Sequence, residues 1–439
     1  MKKFHFMISV IILTVSLFSS ALFSQTIKKL SLDDCIKIAL KNNTSIVSAK
    51  SYSKIAQAGL KSSIGNFLPT IGAYSQWQKR EQNMYTIRFD QLVTSKESYY
   101  YQVRIDQPIF TGLRNYATLK QSKAENERYK NTLTWTQQTV VLDVKLKYYN
   151  VLKNEQLLKV AEEALQTSNK ELNRIETMEK IGVVSRAEVY QQKVRVGENK
   201  LALVNARNAY ITAKTHVNHT LGIDITEEID LVREPIETEV SIIDIDFDNS
   251  VEQALQNRLD FKSYQNNLTS TKSSVTIQRS AHLPSISFFG NYSWWDVQFP
   301  QSKRDIDEFD TYSFGVSMNL NLFNGLKTSS NIQQAKAQVV AAEADLEQAK
   351  RQVILDVKQA VLEIEKAKEN IDVTKENVIS AEEDYRLASE RYRIGAGTLI
   401  EQLTAQNSLT RARVNRIQAI YDYKYAITVL DLAVGRLSW

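Results

Sequence analysis

From Ser313 to Leu322 the chain alternates without a fault. Phe314, Val316, Met318, Leu320 and Leu322 fall on one face, and Ser313, Gly315, Ser317, Asn319 and Asn321 on the other. A period of two marks a strand between two different environments. A strand of a soluble sandwich alternates as well. Here the polar face is small and uncharged, which suits a wet lumen, and the predicted strand (312–322) has about the 9–11 residues of a tilted membrane strand. Its partner is predicted over 284–296, with Tyr292, Trp294 and Trp295 near the far end. Aromatic rings favour the membrane–water interface. A second pair is predicted over 69–80 and 99–110, again with a triplet, Tyr99-Tyr100-Tyr101, near the outer end. The polar stretches Glu81 to Ser98 and Val297 to Asp310 read as long external loops. Four strands cannot close a barrel, for which about eight is the lower limit. Open edges in lipid leave backbone groups unpaired at several kcal/mol each. If these strands span a membrane, several chains share one barrel.

The rest of the pattern is helical. Between Asn331 and Ile394 there is neither proline nor glycine, enough chain for a rod of roughly 90–100 Å. Val357, Ile364, Ile371, Val378, Tyr385 and Tyr392 recur every seven residues, and Ala360, Ala367, Thr374, Ala381 and Ala388 follow the first five by three. This large–small heptad seam permits close helix approach. Val144, Val151, Leu158, Leu165 and Leu172 repeat the seam 213 residues earlier. Each rod ends in a tight turn. Gly182 and Gly395 suit the left-handed closing residue. Ser185 with Glu188, and Thr398 with Glu401, form capping-box patterns for the returning helices.

The whole chain is duplicated. Ala39-Leu40-Lys41-Asn42 matches Ala254-Leu255-Gln256-Asn257, and Leu68-Pro69-Thr70-Ile71 matches Leu283-Pro284-Ser285-Ile286, both at an offset of 215. Phe110-x-Gly112 matches Phe323-x-Gly325, and Ile181-Gly182 matches Ile394-Gly395, at 213. The domain map that follows is a first repeat over 25–222, an acidic connector over 223–247, and a second repeat over 248–439. Within them, long helices are expected at about 114–181 and 328–394, and return helices at about 186–221 and 399–434.

Composition narrows the setting. Residues 1–24 carry a basic start, Lys2-Lys3, then an apolar run from Phe6 to Phe18 and small residues, the pattern of a secretory signal. No later segment is apolar enough for a membrane helix. The formal net charge of +5 is spread without blocks, which leaves nucleic-acid binding unsupported. The one cysteine, Cys35, cannot form an internal disulfide and reads as a half-buried helix residue. His216 and His219 are three apart on a predicted helix but have no obvious third ligand. No P-loop, dinucleotide fingerprint, HExxH or nucleophile elbow occurs. No enzyme activity, cofactor or metal is expected. Two readings remain from the residues: a duct subunit, or a periplasmic coiled-coil adaptor or scaffold, the latter leaving the strands without a use.

The Leu-Pro strand openings, the two Phe-x-Gly helix openings and the two turns, above all Arg391 to Leu403, resemble the TolC family of outer-membrane efflux proteins. The resemblance covers essentially the whole chain after the signal. It implies a mainly α fold with a membrane β-barrel contribution: long coiled-coil hairpins plus four transmembrane strands per chain, with a trimer forming a twelve-stranded barrel and a periplasmic α-helical tunnel. It implies a passive exit duct in the outer membrane, part of a tripartite efflux or type I secretion system. Its partners would be two further copies, outer-membrane lipid, a periplasmic adaptor, and an inner-membrane pump or ABC transporter. Adaptor docking is carried onto Ile181, Gly182, Val183, Ser185, Ile394, Gly395, Ala396 and Thr398. Gate candidates are Tyr392, Glu401, Glu188 and Arg186. Where well-known members carry a gate arginine this chain has Gly397, and Thr404 stands where a second acid would sit, so any gate here uses fewer or different links. Glu401 would cap its helix or line the pore, one carboxylate being poorly placed for both. The expected asymmetry makes the second tip the gate and the first, with Arg186 beside Glu188, its differently charged counterpart.

Overall fold

The computed structural model describes residues 28–88, 90–233 and 246–438. The expected signal, 1–24, lies outside the described residues, as does much of the 223–247 connector. Strand β1 (Lys28–Leu30) leads into helices α1 (Leu32–Asn42) and α2 (Thr44–Gly65). Strands β2 (Thr70–Arg88) and β3 (Gln91–Thr111) follow, then the long helix α3 (Arg114–Lys180) and its return α4 (Arg186–Leu221). Strand β4 (Ile229–Leu231) pairs in parallel with β1. The second half repeats the order: α5 (Phe247–Asn257), α6 (Leu259–Arg279), β5 (Ser285–Asp296), a short loop helix α7 (Lys303–Phe309), β6 (Asp310–Asn319), α8 (Lys327–Arg393) and α9 (Leu399–Ala433).

Three departures from the sequence pattern stand out. Ahead of each strand pair, where the periodic patterns above mark no element, two helices occur, broken at Asn43 and Arg258, which both adopt extended backbone. The expected loop Glu81 to Ser98 is instead strand. Beyond Tyr99, the last β3 residue that β5 reaches, β2 and β3 continue as a two-stranded ribbon to Arg88 opposite Gln91. A free ribbon pairs its backbone within itself, so polar residues serve, and no buried face imposes alternation. Strand β6 also begins and ends earlier than 312–322. Its last partner is Ser285 opposite Asn319, because Pro284 before it has no N–H to donate.

The sheet runs β2-β3-β5-β6, antiparallel throughout, so the central pairing of β3 with β5 joins the two halves. The heptad seam forms two separate cores. Val141, Val144, Tyr148 and Val151 pack with Cys35, Ala39, Val217 and Leu221. Val357, Ala360, Ile364 and Ala367 pack with Ala254, Tyr423, Leu430 and Val434. Burying one such aliphatic side chain contributes about 1.5–3 kcal/mol, so these seams fix each hairpin to its opening helices. Cys35 is fully buried, deeper than expected, and burial pushes its thiol up to about 12. Among the described residues no helix is long and apolar enough to cross a membrane.

Candidate functional site: the helical tips and the strand wall

The first tip closes when Val183 N donates to the Met178 carbonyl (2.9 Å) and Gly182 takes φ +77°. At the second, Ala396 N donates to the Arg391 carbonyl (2.8 Å) and Gly395 takes φ +78°. These paired bonds satisfy carbonyls that a helix end otherwise leaves bare. The returning helices then start on their boxes: Ser185 N donates to Glu188 Oε1 (3.4 Å), and Thr398 N to Glu401 Oε2 (3.4 Å). Ile181, Val183, Ser185, Ile394, Ala396 and Thr398 are all exposed at the very end of the molecule.

The two tips are fastened to each other. The Tyr392 hydroxyl donates to Glu188 Oε2 at 2.8 Å. Its ring is buried in a small cluster with Ile175, Val189 and Leu399, and the Arg174 guanidinium lies 6.0 Å from the ring centre. Burial, then the Glu188 carboxylate, raises the Tyr392 phenol above its ordinary value. The phenol therefore stays a donor. Glu188 uses one oxygen for its own cap and the other for this bond, so a capping carboxylate here also makes a contact between hairpins.

Glu401 does something different. Besides capping, its carboxylate lies 3.8 Å from the Arg391 guanidinium, which also donates to the Ala396 carbonyl (3.4 Å). A Cβ on Gly397 would stand 3.0 Å from both the Arg391 Cβ and Glu401 Oε2. The glycine thus leaves room for Arg391, from the turn before, to face the acid. Arg186 does not pair with Glu188. It lies over the Tyr190 ring at 5.9 Å, and Glu188 faces Tyr392 instead.

Sequence reasoning missed Arg391 and the contacts above the tips. Arg195 Nη2 donates to Asn407 Oδ1, tying the two return helices. Arg413 reaches Glu382 (2.9 Å) in its own hairpin and Glu163 (3.8 Å) in the other, beside a cleft of about 500 Å3. Residues this far apart in sequence carry no periodic signal; only an acid and a base flanking the same turn, as with Arg391 and Glu401, could have been noticed. His216 and His219 are exposed, and among the described residues no cluster of potential metal ligands occurs.

At the other end, register sorts the sheet into two faces. One carries Phe314, Val316 and Met318 beside Phe288 and Ile286, then Val103, Ile105 and Ile71. Phe314, Val316 and Met318 are largely exposed in the single chain. Above this band Trp77, Tyr99, Tyr101, Tyr292, Trp294 and Tyr312 share the same face, an aromatic girdle at the expected interface level. The α7 loop folds onto it: the Trp294 indole donates to the Asp305 carbonyl (2.9 Å), and Phe299 packs edge-on to Tyr99. The opposite face carries Gly72, Gln102, Arg104, Asp106, Asn291 and the serines of β6.

A family model described as outer membrane efflux protein matches residues 35–222 and 250–436, the two repeats in turn. The chain belongs to the outer membrane efflux protein family. It is an outer-membrane protein with an apolar face on its strands and long helical hairpins beneath them. The outer membrane protein TolC of Vibrio cholerae is 23% identical over 313 residues, 69% of either chain. The fold is that of solved outer-membrane channels. CmeC of Campylobacter jejuni superposes with a TM-score of 0.79 at 18% identity, covering 92% of this chain and 85% of that one. The open state of MtrE from Neisseria gonorrhoeae also gives 0.79, at 19% identity, covering 92% and 88%. Membership in this efflux family leaves the adaptor or scaffold reading without support.

Proposed function

We propose that three copies of this chain close a twelve-stranded barrel continued by a helical tunnel. The assembly is a passive exit duct, and an inner-membrane pump or ABC transporter delivers substrate to it through a periplasmic adaptor seated on the tips. One observation carries the assembly: contacts made inside the chain by one repeat are missing at the matching place in the other. A Cβ on Gly112 would meet the Ser280 carbonyl at 2.6 Å and the Leu283 Cβ at 2.9 Å, whereas nothing lies within 4 Å of the matching Gly325. The residues that would cover Gly325 are the copies of Ser280 and Leu283, namely Gly65 and Leu68, and both are exposed. Likewise α6 packs between α3 and α8, while its copy α2 packs extensively, among the described residues, against α3 alone. Strands β2 and β6 are the sheet's two edges. A second copy supplies each missing neighbour, and a rotation that repeats closes a ring.

Six tips, two per chain, then face the adaptor. The Tyr392–Glu188 bond holds the tunnel's inner end shut, the Arg391–Glu401 pair keeps the second tip in shape, and substrate leaves when the second hairpin swings from the first. The test is a cysteine pair. With Cys35 replaced by serine, Leu68→Cys and Leu326→Cys introduced together should give a disulfide-linked trimer on oxidation in cells, and each alone should not. A chain that stays monomeric in the periplasm overturns the duct. For docking, a photo-crosslinker at Val183 or Ala396 should capture the adaptor, and capture from the α7 loop but not from the tips would refute it.

A further inference from the structure

The strand face opposite the apolar belt carries one full charge pair at the depth of the belt. Arg104 and Asp106 lie two apart on β3 and share that face, with Val103 and Ile105 pointing the other way. Two hydrogen bonds, Nε to Oδ2 at 2.6 Å and Nη2 to Oδ1 at 2.7 Å, join them in a fork. The Arg104 guanidinium also lies 5.7 Å from the ring centre of Phe289, which is paired across the ladder with Asp106. Phe289 lies flat there because its other ladder neighbour is Gly315, where a Cβ would meet the ring at 3.0 Å. The other residues at this level are small or neutral: Gly72, Asn291 and Ser313.

We propose that Arg104 and Asp106, backed by Phe289, keep the barrel section of the duct free of charge preference by cancelling each other on the lumen wall. This rests on the trimeric duct reading, which turns the face into a lumen wall and the pair into a ring of three. In lipid such charges would be costly, and strands of this kind put them inward. A ring of charge lining a pore selects ions by sign. Here each arginine is neutralised by its own strand's carboxylate, so the barrel passes both signs alike while the pair is whole. Preference is therefore one residue away in either direction.

The experiment measures reversal potential across planar bilayers under a salt gradient, with every protein carrying Tyr392→Phe so that the inner end does not limit the current. Asp106→Asn should raise the anion-to-cation permeability ratio about two- to tenfold, least at 0.1 M salt and most at low salt, since three unpaired guanidiniums then act over a Debye length that grows from about 10 Å to about 30 Å as salt falls to 0.01 M. Arg104→Gln should shift it by a similar factor toward cations. The double variant should return to the starting value, which a merely structural role for the pair would not produce. Channels that conduct normally but keep one reversal potential in all four proteins overturn the proposal while leaving the duct intact. A parent protein that forms no trimer and carries no current overturns both.

Discussion

The two halves of this chain fold alike and end differently. Position 270 in the second half is a serine, buried and bonded to Glu125 at 3.2 Å. Its copy in the first half is Ile55, which is 65% exposed. An apolar residue stands bare where its polar copy is covered, the reverse of what an isolated folded unit does. The second half finds its neighbour in the first; in the proposed trimer the first finds its neighbour in another chain. The repeats are thus one design, used once within the chain and once between chains.

The largest effect should come from breaking the between-chain use alone. Ile55→Asp should abolish the proposed trimer on native gels and leave the helical signal in circular dichroism near that of the native chain. A persistent trimer would mean that this face of α2 is not an interface. Next comes the within-chain use. Arg258, whose side chain is only 5% exposed, bonds Asp260 and Asp356 at 2.7 Å and lies 5.1 Å from the Trp135 ring centre. Its copy, Asn43, only caps α2 and donates to the Thr220 carbonyl (3.0 Å). Removing one partner of a buried ion pair costs about 3–5 kcal/mol, and losing a cap about 1. Denaturant unfolding should therefore separate Arg258→Ala from Asn43→Ala, and equal losses would erase the distinction.

A smaller effect belongs to the tips. Tyr392→Phe removes one hydrogen bond to a charged partner, worth about 1.5–3 kcal/mol, and should raise single-channel conductance several-fold. The raised pKa of Tyr392 sets the sign of its pH dependence. The phenol's contribution is fully present below the ordinary tyrosine value and fades only as the pH climbs from there toward the raised one. Conductance of the native channel should stay flat from neutral pH up to the ordinary tyrosine range, and an opening step near pH 8 would have to come from another group. The smallest effect is at Cys35, whose copy is Ser250, also buried. Cys35→Ser should change stability by under about 1 kcal/mol, and the native thiol should react with maleimide only after unfolding.

What could be read from the sequence followed a rule. The seams through Val144 and Val357 and the boxes at Ser185 and Thr398 repeat at helical spacing or within one turn, so local order betrays them. The ribbon over 81–98 could not be read, because polar strands paired only with each other carry no alternation. Nor could the Tyr392–Glu188 bond or the Arg104–Phe289 contact, since each joins residues about two hundred apart. The Arg391–Glu401 pair was half legible: base and acid flank one turn, but the space the arginine uses exists only because Gly397 has no side chain.

The Tyr392–Glu188 bond has a consequence for how such a duct is made. Both its ends belong to one polypeptide, so it forms as soon as that polypeptide folds, at any concentration and before a second copy arrives. A subunit crossing the periplasm already carries its inner end fastened. If this bond is the proposed gate, the finished pore is sealed from birth, and a cell that builds it never passes through a leaky stage.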